Sequence, residues 1–456
     1  MVNFWDSNVW ETFLLFTILF AGLLVGNVLK KGIPLLRTSL IPTSVLGGVV
    51  ILIVEALYKA IAGGSFFSEK ANSALEIITY HALALGFIAS TLKTSKSKLT
   101  KQRTVEIFNT GVTTVATYLL QGIFGLVITI VASLVMTDFF AAAGVLLPFG
   151  YGQGTGQALN YGNIYEVDYG FSGGKSFGLT IAALGFLSAS FGGVIHLNIM
   201  KQRGKLPQRA DDQETIRSED IQAENEIPMQ ESVDKLTIQV ALIAVTYMLA
   251  YGLMLLLGHL LPGMRSTIFG FNFLLGVLCA TGIKVVIRLL KRIHLIKKDY
   301  TNNFLLTRTS NFFFDIMVVS GIAAIRLDIL ERYWGIMLIL GAVGLVITYI
   351  YNRIVAKLLF KDYTEEQFLA MYGMLTGTAS TGIILLREVD GNFDTPAADN
   401  LVYQNFPAIA FGFPMLLLAT LAPKQPYLTL GIFVAFFAVM NILLFRSLIF
   451  KRKSRK

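Results

Sequence analysis

Charge is scarce in this sequence. Asp, Glu, Lys and Arg make up only 15% of its 456 residues, whereas a soluble domain carries about 25%. That shortfall excludes a water-facing surface over most of the chain. Cysteine is nearly absent too. Cys279 stands alone, so no intrachain disulfide can form, and inside its apolar run it reads as a small buried hydrophobe. Histidine, cysteine and aspartate nowhere gather at metal-ligand spacing. There is no Walker phosphate loop and no Gly-x-Ser-x-Gly elbow. These absences argue against a nucleotide-driven pump, and they leave an enzyme without a nucleophile–base pair.

Apolar residues are abundant, at 54% of the chain, with a mean hydropathy of +0.63. They come in runs of about 18 to 28, each long enough for a hydrocarbon core of roughly 30 Å. The chain is therefore read as an all-α polytopic membrane protein. The net charge of +9 sits in short loops between the runs, as the positive-inside bias places it, and does not point to nucleic acid. The first run has Asp6 and Glu11 before it and Lys30 and Lys31 after it. That order predicts an uncleaved first span entering from outside.

Thirteen apolar segments lie near 10–29, 42–61, 74–92, 106–136, 139–160, 176–199, 236–261, 268–288, 303–325, 333–359, 367–386, 403–423 and 427–446. The basic loops 30–37, 93–103, 201–217, 288–298 and 353–361, with the tail from Arg446, are expected in the cytoplasm. Loop 161–174 is acidic and reads as outside. Loop and tail charges reconcile only if segments five and eleven enter and leave on the same side. This predicts about eleven full crossings and two re-entrant hairpins dipping in from opposite faces.

The two hairpins share a pattern. TGQALNYGNIYEVDYG starts at Thr155 and TGTASTGIILLREVDG starts at Thr376. Each opens with Thr-Gly-x-Ala and carries Glu-Val-Asp further on. One half starts outside and the other inside, the signature of an inverted-topology repeat. The expected organisation is an N-terminal repeat over 1–199, a polar cytoplasmic linker over 200–235, and an inverted C-terminal repeat over 236–456 with an extra span.

The stretch LLPFGYGQGTGQALNYGN, Leu146 to Asn163, interrupts an oily chain with poor helix formers and amides. Non-helical backbone at membrane depth survives only inside protein or beside a water-filled cavity. Free N–H groups there can hold a carboxylate, and free carbonyls can hold Na⁺. Small residues for helix packing explain the glycines, but not the interleaved amides. Gly152, Gln153, Gly154, Thr155, Gly156, Gln157 and Asn160 are therefore candidate ligand residues of the first hairpin. Gly373, Thr376, Gly377, Thr378, Ser380 and Thr381 are those of the second. Asp315 is the clearest intramembrane charge, with Asn311 four residues before it on one helical face. Asp315, with Asn311, is expected to touch either a coupling cation or a helix partner. Glu76 is expected at headgroup level, His81 as a hydrogen-bonded core residue, and Lys284 as a snorkelling side chain.

Three stretches resemble the bacterial sodium/glutamate symporter family. IPTSVLGG, Ile41 to Gly48, resembles its Ile-Pro-x-x-Val-x-Gly-Gly. GYGQGTG, Gly150 to Gly156, resembles its Gly-Gly-His-Gly-Thr-Gly hairpin. MYGMLTGTAST, Met371 to Thr381, falls where the family has a second glycine-rich hairpin. The resemblance implies two inverted five-span domains, each with a re-entrant loop. It also implies a sodium-coupled glutamate carrier that works as a homodimer in the bacterial cytoplasmic membrane, with Na⁺ as coupling ion and no other cofactor. By position, Gly152, Gly154, Thr155 and Gly156 would line the first hairpin, and Gly373, Gly377 and Thr381 would belong to the second. The chain departs from the family at Gln153, where the family has histidine, and at Ser380, where it has proline. The second hairpin has fewer glycines, and a span after 427 is additional. The alternative is an ion- or proton-coupled carrier of a different small organic anion, and behind it a channel with the hairpins as its filter.

Overall fold

The computed structural model describes residues 4–93, 100–136, 138–204, 226, 233–296, 298–327, 331–391 and 394–449. Most of the expected linker and the tail 451–456 lie outside the described residues. Glu226, at the end of that linker, accepts hydrogen bonds from Lys235 (2.8 Å) and Asn302 (2.7 Å).

All thirteen apolar segments are helical. In chain order the helices are α1 (Ser7–Gly32), α2 (Pro34–Thr38), α3 (Thr43–Ala62), α4 (Glu69–Leu92), α5 (Lys101–Val135), α6 (Leu146–Tyr169) and α7 (Gly174–Gln202). There follow α8 (Lys235–Leu260), α9 (Arg265–Gly270), α10 (Asn272–Arg292), α11 (Asn303–Ala323), α12 (Trp334–Leu359), α13 (Thr364–Thr376) and α14 (Ala379–Arg387). The last four are α15 (Ala397–Tyr403), α16 (Asn405–Leu421), α17 (Pro426–Leu444) and α18 (Arg446–Ile449). Among the described residues there is no strand, only an isolated bridge between Glu226 and Asp299.

Capping residues fix several starts. The Ser68 side chain accepts from Ala71 N–H, Thr100 from Arg103 N–H, and Asp234 from Leu236 and Thr237 N–H. Each satisfies donors that a helix start leaves open.

Nine described helices are long and apolar enough to cross a membrane, or ten if Ala397–Tyr403 and Pro407–Leu421, bent by 50°, form one span. The α11 helix falls outside this set and carries Arg308, Asn311 and Asp315. Large apolar side chains cover the outer faces, Ile61 at 86% and Leu134 at 74% exposure among them. In water such a surface would aggregate; in a bilayer it meets lipid. The chain is a multi-pass membrane protein.

The helices form two groups. In one, α1 packs on α3, α4 on α11, α3 on α11, and α10 on both α4 and α8. In the other, α5 packs on α12, α16 and α17, and α12 packs on α7 and α13. The α6–α7 pair lies along the boundary, touching α4 and α11 as well as α5 and α13.

One expectation is corrected here. The outer loop expected at 161–174 is mostly helix, since α6 runs to Tyr169 and only 170–173 turns. The turn uses left-handed glycines, Gly170 (φ 72°) and Gly173 (φ 79°). Tyr161, Tyr165 and Tyr169 explain the extension. Spaced by four, they donate to the carbonyls of Leu416 (2.8 Å), Ala419 (2.7 Å) and Thr420 (3.0 Å) on α16. The acids Glu166 and Asp168 that suggested a loop accept from Lys175 N–H (3.1 Å) and, on α9, from the Ser266 hydroxyl (3.2 Å).

Candidate functional site

The first glycine-rich stretch is helical except at one residue. Gly154 has φ 77° and ψ −170°, a region open essentially to glycine alone. Gly150, Gly152 and Gly156 are helical and serve close packing instead. The break reverses the chain. Phe149 and Tyr161 stack with ring centroids 3.8 Å apart, whereas twelve residues of straight helix would separate them by about 18 Å. The two arms of α6 therefore lie side by side.

The second stretch breaks between α13 and α14, at Gly377 and Thr378. Its arms also lie together. A Cβ on Gly373 would meet the Gly382 Cα at 2.8 Å, and one on Gly382 would meet the Ala370 carbonyl at 2.4 Å. The Thr-Gly-x-Ala match is slightly offset, because Thr155 and Gly156 follow the first break while Thr376 and Gly377 run into the second.

The two breaks meet. A Cβ on Gly154 would sit 3.2 Å from Thr378 Cγ2 and 3.8 Å from the Gly377 carbonyl oxygen. Beside the contact is a cavity of about 160 Å³, lined by Gly152, Gln153 and Gln157 from one break and Thr378, Ala379 and Ser380 from the other. Phe87, Phe273, Phe314 and Phe413 form much of its apolar wall. The size suits a small molecule, since drug-sized ligands occupy roughly 300–1,000 Å³.

Gln157 gives the cavity its chemistry. The side-chain amide of Asn160 donates to the Gly270 carbonyl (3.0 Å) and to Gln157 Oε1 (2.9 Å). That relay turns Gln157 Nε2 away from Asn160. Gln157 is 1% exposed and lines the cavity. Among the described residues its Nε2 is the one buried side-chain nitrogen without a partner. A buried donor left bare costs about 1–3 kcal/mol, so this N–H is suited to an acceptor bound in the cavity.

Thr155 is fully buried and donates to the Met317 carbonyl on α11 (3.2 Å). It fastens the break rather than facing the cavity. Thr376 donates to the Tyr372 carbonyl (2.6 Å), and Thr378 and Thr381 hydroxyls lie 3.4 Å apart. Asp315 and Asn311 are not brought to the cavity. Both are exposed, while their neighbours Phe314 and Met317 line it. Ser44 on α3 lies beside Asp315.

Other polar residues find partners away from the cavity. His81 is hydrogen-bonded as expected, to Tyr247 OH (2.7 Å), but is exposed rather than in the core, and Glu76 pairs with Lys175 (2.8 Å). Lys284 donates to the carbonyls of Thr91 (2.9 Å) and Lys93 (2.6 Å), closing the end of α4. Cys279 is half-buried and free.

Several site residues escaped the sequence reading. Tyr118 OH donates to the Gly152 carbonyl (2.9 Å). Gln121 Nε2 donates to the Leu375 carbonyl (2.9 Å) and to Thr348 (2.9 Å). Gln404 accepts from Thr114 (2.9 Å) and lines the cavity. A signal was present on α5, where Thr110, Thr113, Thr114, Thr117 and Gln121, all buried, make a polar stripe at helical spacing in an otherwise apolar run.

A multi-pass bundle with two reversed helix breaks meeting at a small cavity is the architecture of a membrane transporter. Residues 6–394 match the family described as Sodium/glutamate symporter, and the chain belongs to that family. No curated protein matches the chain.

Proposed function

We propose that the protein is a secondary active transporter that carries glutamate or a similar small carboxylate together with Na⁺ by alternating access. The observation that carries this reading is Gln157 Nε2, a buried unpartnered donor at a cavity where two helix breaks meet. A carboxylate supplies the missing acceptor. Cations accompany it because an unpaired charge at that depth is costly. Among the described residues no group of three or more His, Cys, Asp or Glu is gathered for a metal ion. Carbonyls and hydroxyls at the breaks, with Thr378, Ser380 and Thr381, are the coordination we assign to Na⁺.

The reading includes two re-entrant hairpins, eleven full crossings and inverted repeats. Side-by-side arms at both breaks support the hairpins. The packing supports the repeats, for α3 lies on α11 as α10 lies on α4, and α7 lies on α12 as α16 lies on α5. In that correspondence α4 pairs with α11, α5 with α12, and α6 with α13–α14. The cavity lies between the two helix groups, taking Leu83 and Met317 from one and Thr114 and Tyr118 from the other, which suits access that alternates as they shift. We assign a homodimer in the bacterial cytoplasmic membrane from the family.

One observation favours a second substrate. Four phenylalanines on the cavity wall fit an organic anion with an apolar flank better than glutamate. The test is uptake of labelled L-glutamate into proteoliposomes with and without an inward Na⁺ gradient. Accumulation above the external concentration, only with Na⁺, is expected. Uptake that merely equilibrates would make the protein a channel. No uptake, with competition-free binding of a phenyl-bearing carboxylate, would move the substrate to the second class.

A further inference from the structure

A second cavity lies far from the helix breaks. It measures about 620 Å³ and is bounded by the start of α5, the link from α12 to α13 and the end of the C-terminal span. All three segments belong to basic loops that mark the cytoplasmic side. The walls are Val105, Leu358, Leu359 and Phe360, and Lys101, Lys361 and Ser447 stand at the rim. Neither lysine side chain has an ion pair or hydrogen bond among the described residues.

The local charge is positive. Glu106 lines the cleft but is held by Arg103 at 2.6 Å. Asn109, another lining residue, accepts from Arg446 at 3.0 Å. That guanidinium rests over Phe108, 4.8 Å from the ring centroid, and has no carboxylate partner among the described residues. Lys101, Lys361, Arg103 and Arg446 thus face three acids, Glu106, Asp362 and Asp399, of which Glu106 and Asp399 are both held by Arg103 (2.6 and 3.7 Å). The chain beyond the described residues ends in Lys-Arg-Lys-Ser-Arg-Lys, residues 451–456, which is of the same sign. Arg446 and Ser447 lie beyond the stretch matched to the family, which ends at 394.

We propose that this cleft is a binding site for an anionic phospholipid. Its phosphodiester would sit between Lys101 and Lys361, with the Ser447 hydroxyl as a further donor. Its acyl chains would lie against Val105, Leu358 and the lipid-facing flanks of α5 and α12. The charge selects an anionic headgroup. The apolar walls select a molecule with chains attached over free phosphate. Basic pockets between helix ends at the cytoplasmic face bind acidic lipid headgroups in this way. The C-terminal span therefore adds a lipid site to the transporter, independent of which substrate the central cavity takes.

The test uses the full chain in detergent, titrated with phosphatidylglycerol, phosphatidylcholine or glycerol phosphate, with thermal stability and lipid affinity as readouts. Phosphatidylglycerol is expected to raise the melting temperature, and phosphatidylcholine and glycerol phosphate are not. Lys101→Gln with Lys361→Gln should weaken phosphatidylglycerol about 30-fold, from about fivefold per lysine. A charge-matched control, Arg288→Gln with Arg292→Gln on another basic loop, should leave the affinity unchanged. Equal effects of both lipids, equal losses in both double variants, or full stabilisation by glycerol phosphate alone would each overturn the assignment.

Discussion

Alanine at position 154 tests whether the two helix breaks work as one site. Gly154 holds φ 77° and ψ −170°, where a side chain is strained by about 1–3 kcal/mol. The new Cβ would also lie 3.2 Å from Thr378 Cγ2, so the second tip must yield by a few tenths of an ångström. Both effects act on the contact that shapes the cavity. If 1–3 kcal/mol falls on the transport-competent arrangement, the cost is about 5–150-fold in rate. Global stability should change little, because 1 kcal/mol moves the melting temperature of a large chain by only about 2–4 °C. Gly154→Ala is therefore expected to be folded and to lose at least about fivefold in initial uptake.

The two causes can be separated. Thr378→Ser removes the crowded methyl and keeps the hydroxyl. In the Gly154→Ala background it should restore the packing share of the loss and leave the backbone share. Gly156→Ala is the control. Its backbone needs no positive φ, so only packing is disturbed: its Cβ would meet Leu83 Cδ1 at 2.8 Å, Leu83 Cβ at 2.9 Å and Met317 Sδ at 2.9 Å. Any loss there is expected to be untouched by Thr378→Ser. Wild-type uptake and melting in Gly154→Ala would refute the reasoning and return the glycines to helix packing.

Gln157→Leu keeps the volume and removes the free donor, so KM for the carboxylate should rise with little change in melting; an unaltered KM would remove Gln157 from the site. Gln157→Glu places a like charge against the substrate and should abolish binding measured calorimetrically. Asp315→Asn should leave uptake and its Na⁺ dependence largely intact, because Asp315 lies on the face of α11 away from the cavity; loss of Na⁺ dependence alone would place the cation there after all. Single cysteines at Val167→Cys and Asp394→Cys, both exposed, in a Cys279→Ser background should label from opposite sides of the membrane, and same-side labelling would sink the pair of re-entrant hairpins.

Much of the fold is legible in the order of residues. A run of twenty apolar residues can satisfy its backbone in lipid only as a helix, so composition and run length dictate an all-helical membrane protein, and each of the thirteen runs is helical. Loop charge points to reversals at segments five and eleven, and the glycine run 150–156 marks the neighbourhood of the first; that the helix breaks at Gly154 alone is decided by the structure. Sequence alone misjudges 161–169, because Glu166 and Asp168 suggest a loop. The tyrosine contacts to α16 that make it helix join residues about 250 positions apart.

The site is legible only in part, for the same reason. That glycine, threonine and amide residues gather at two places is a local property, visible along the chain. That Gly154 touches Thr378 and that Gln157 faces a cavity is decided by packing between distant segments. So is the exclusion of Asp315, whose charge marks it as unusual but whose direction depends on how α11 rotates against α3 and α4. Spacing along a helix tells which residues share a face; only the neighbours of that helix tell what the face meets.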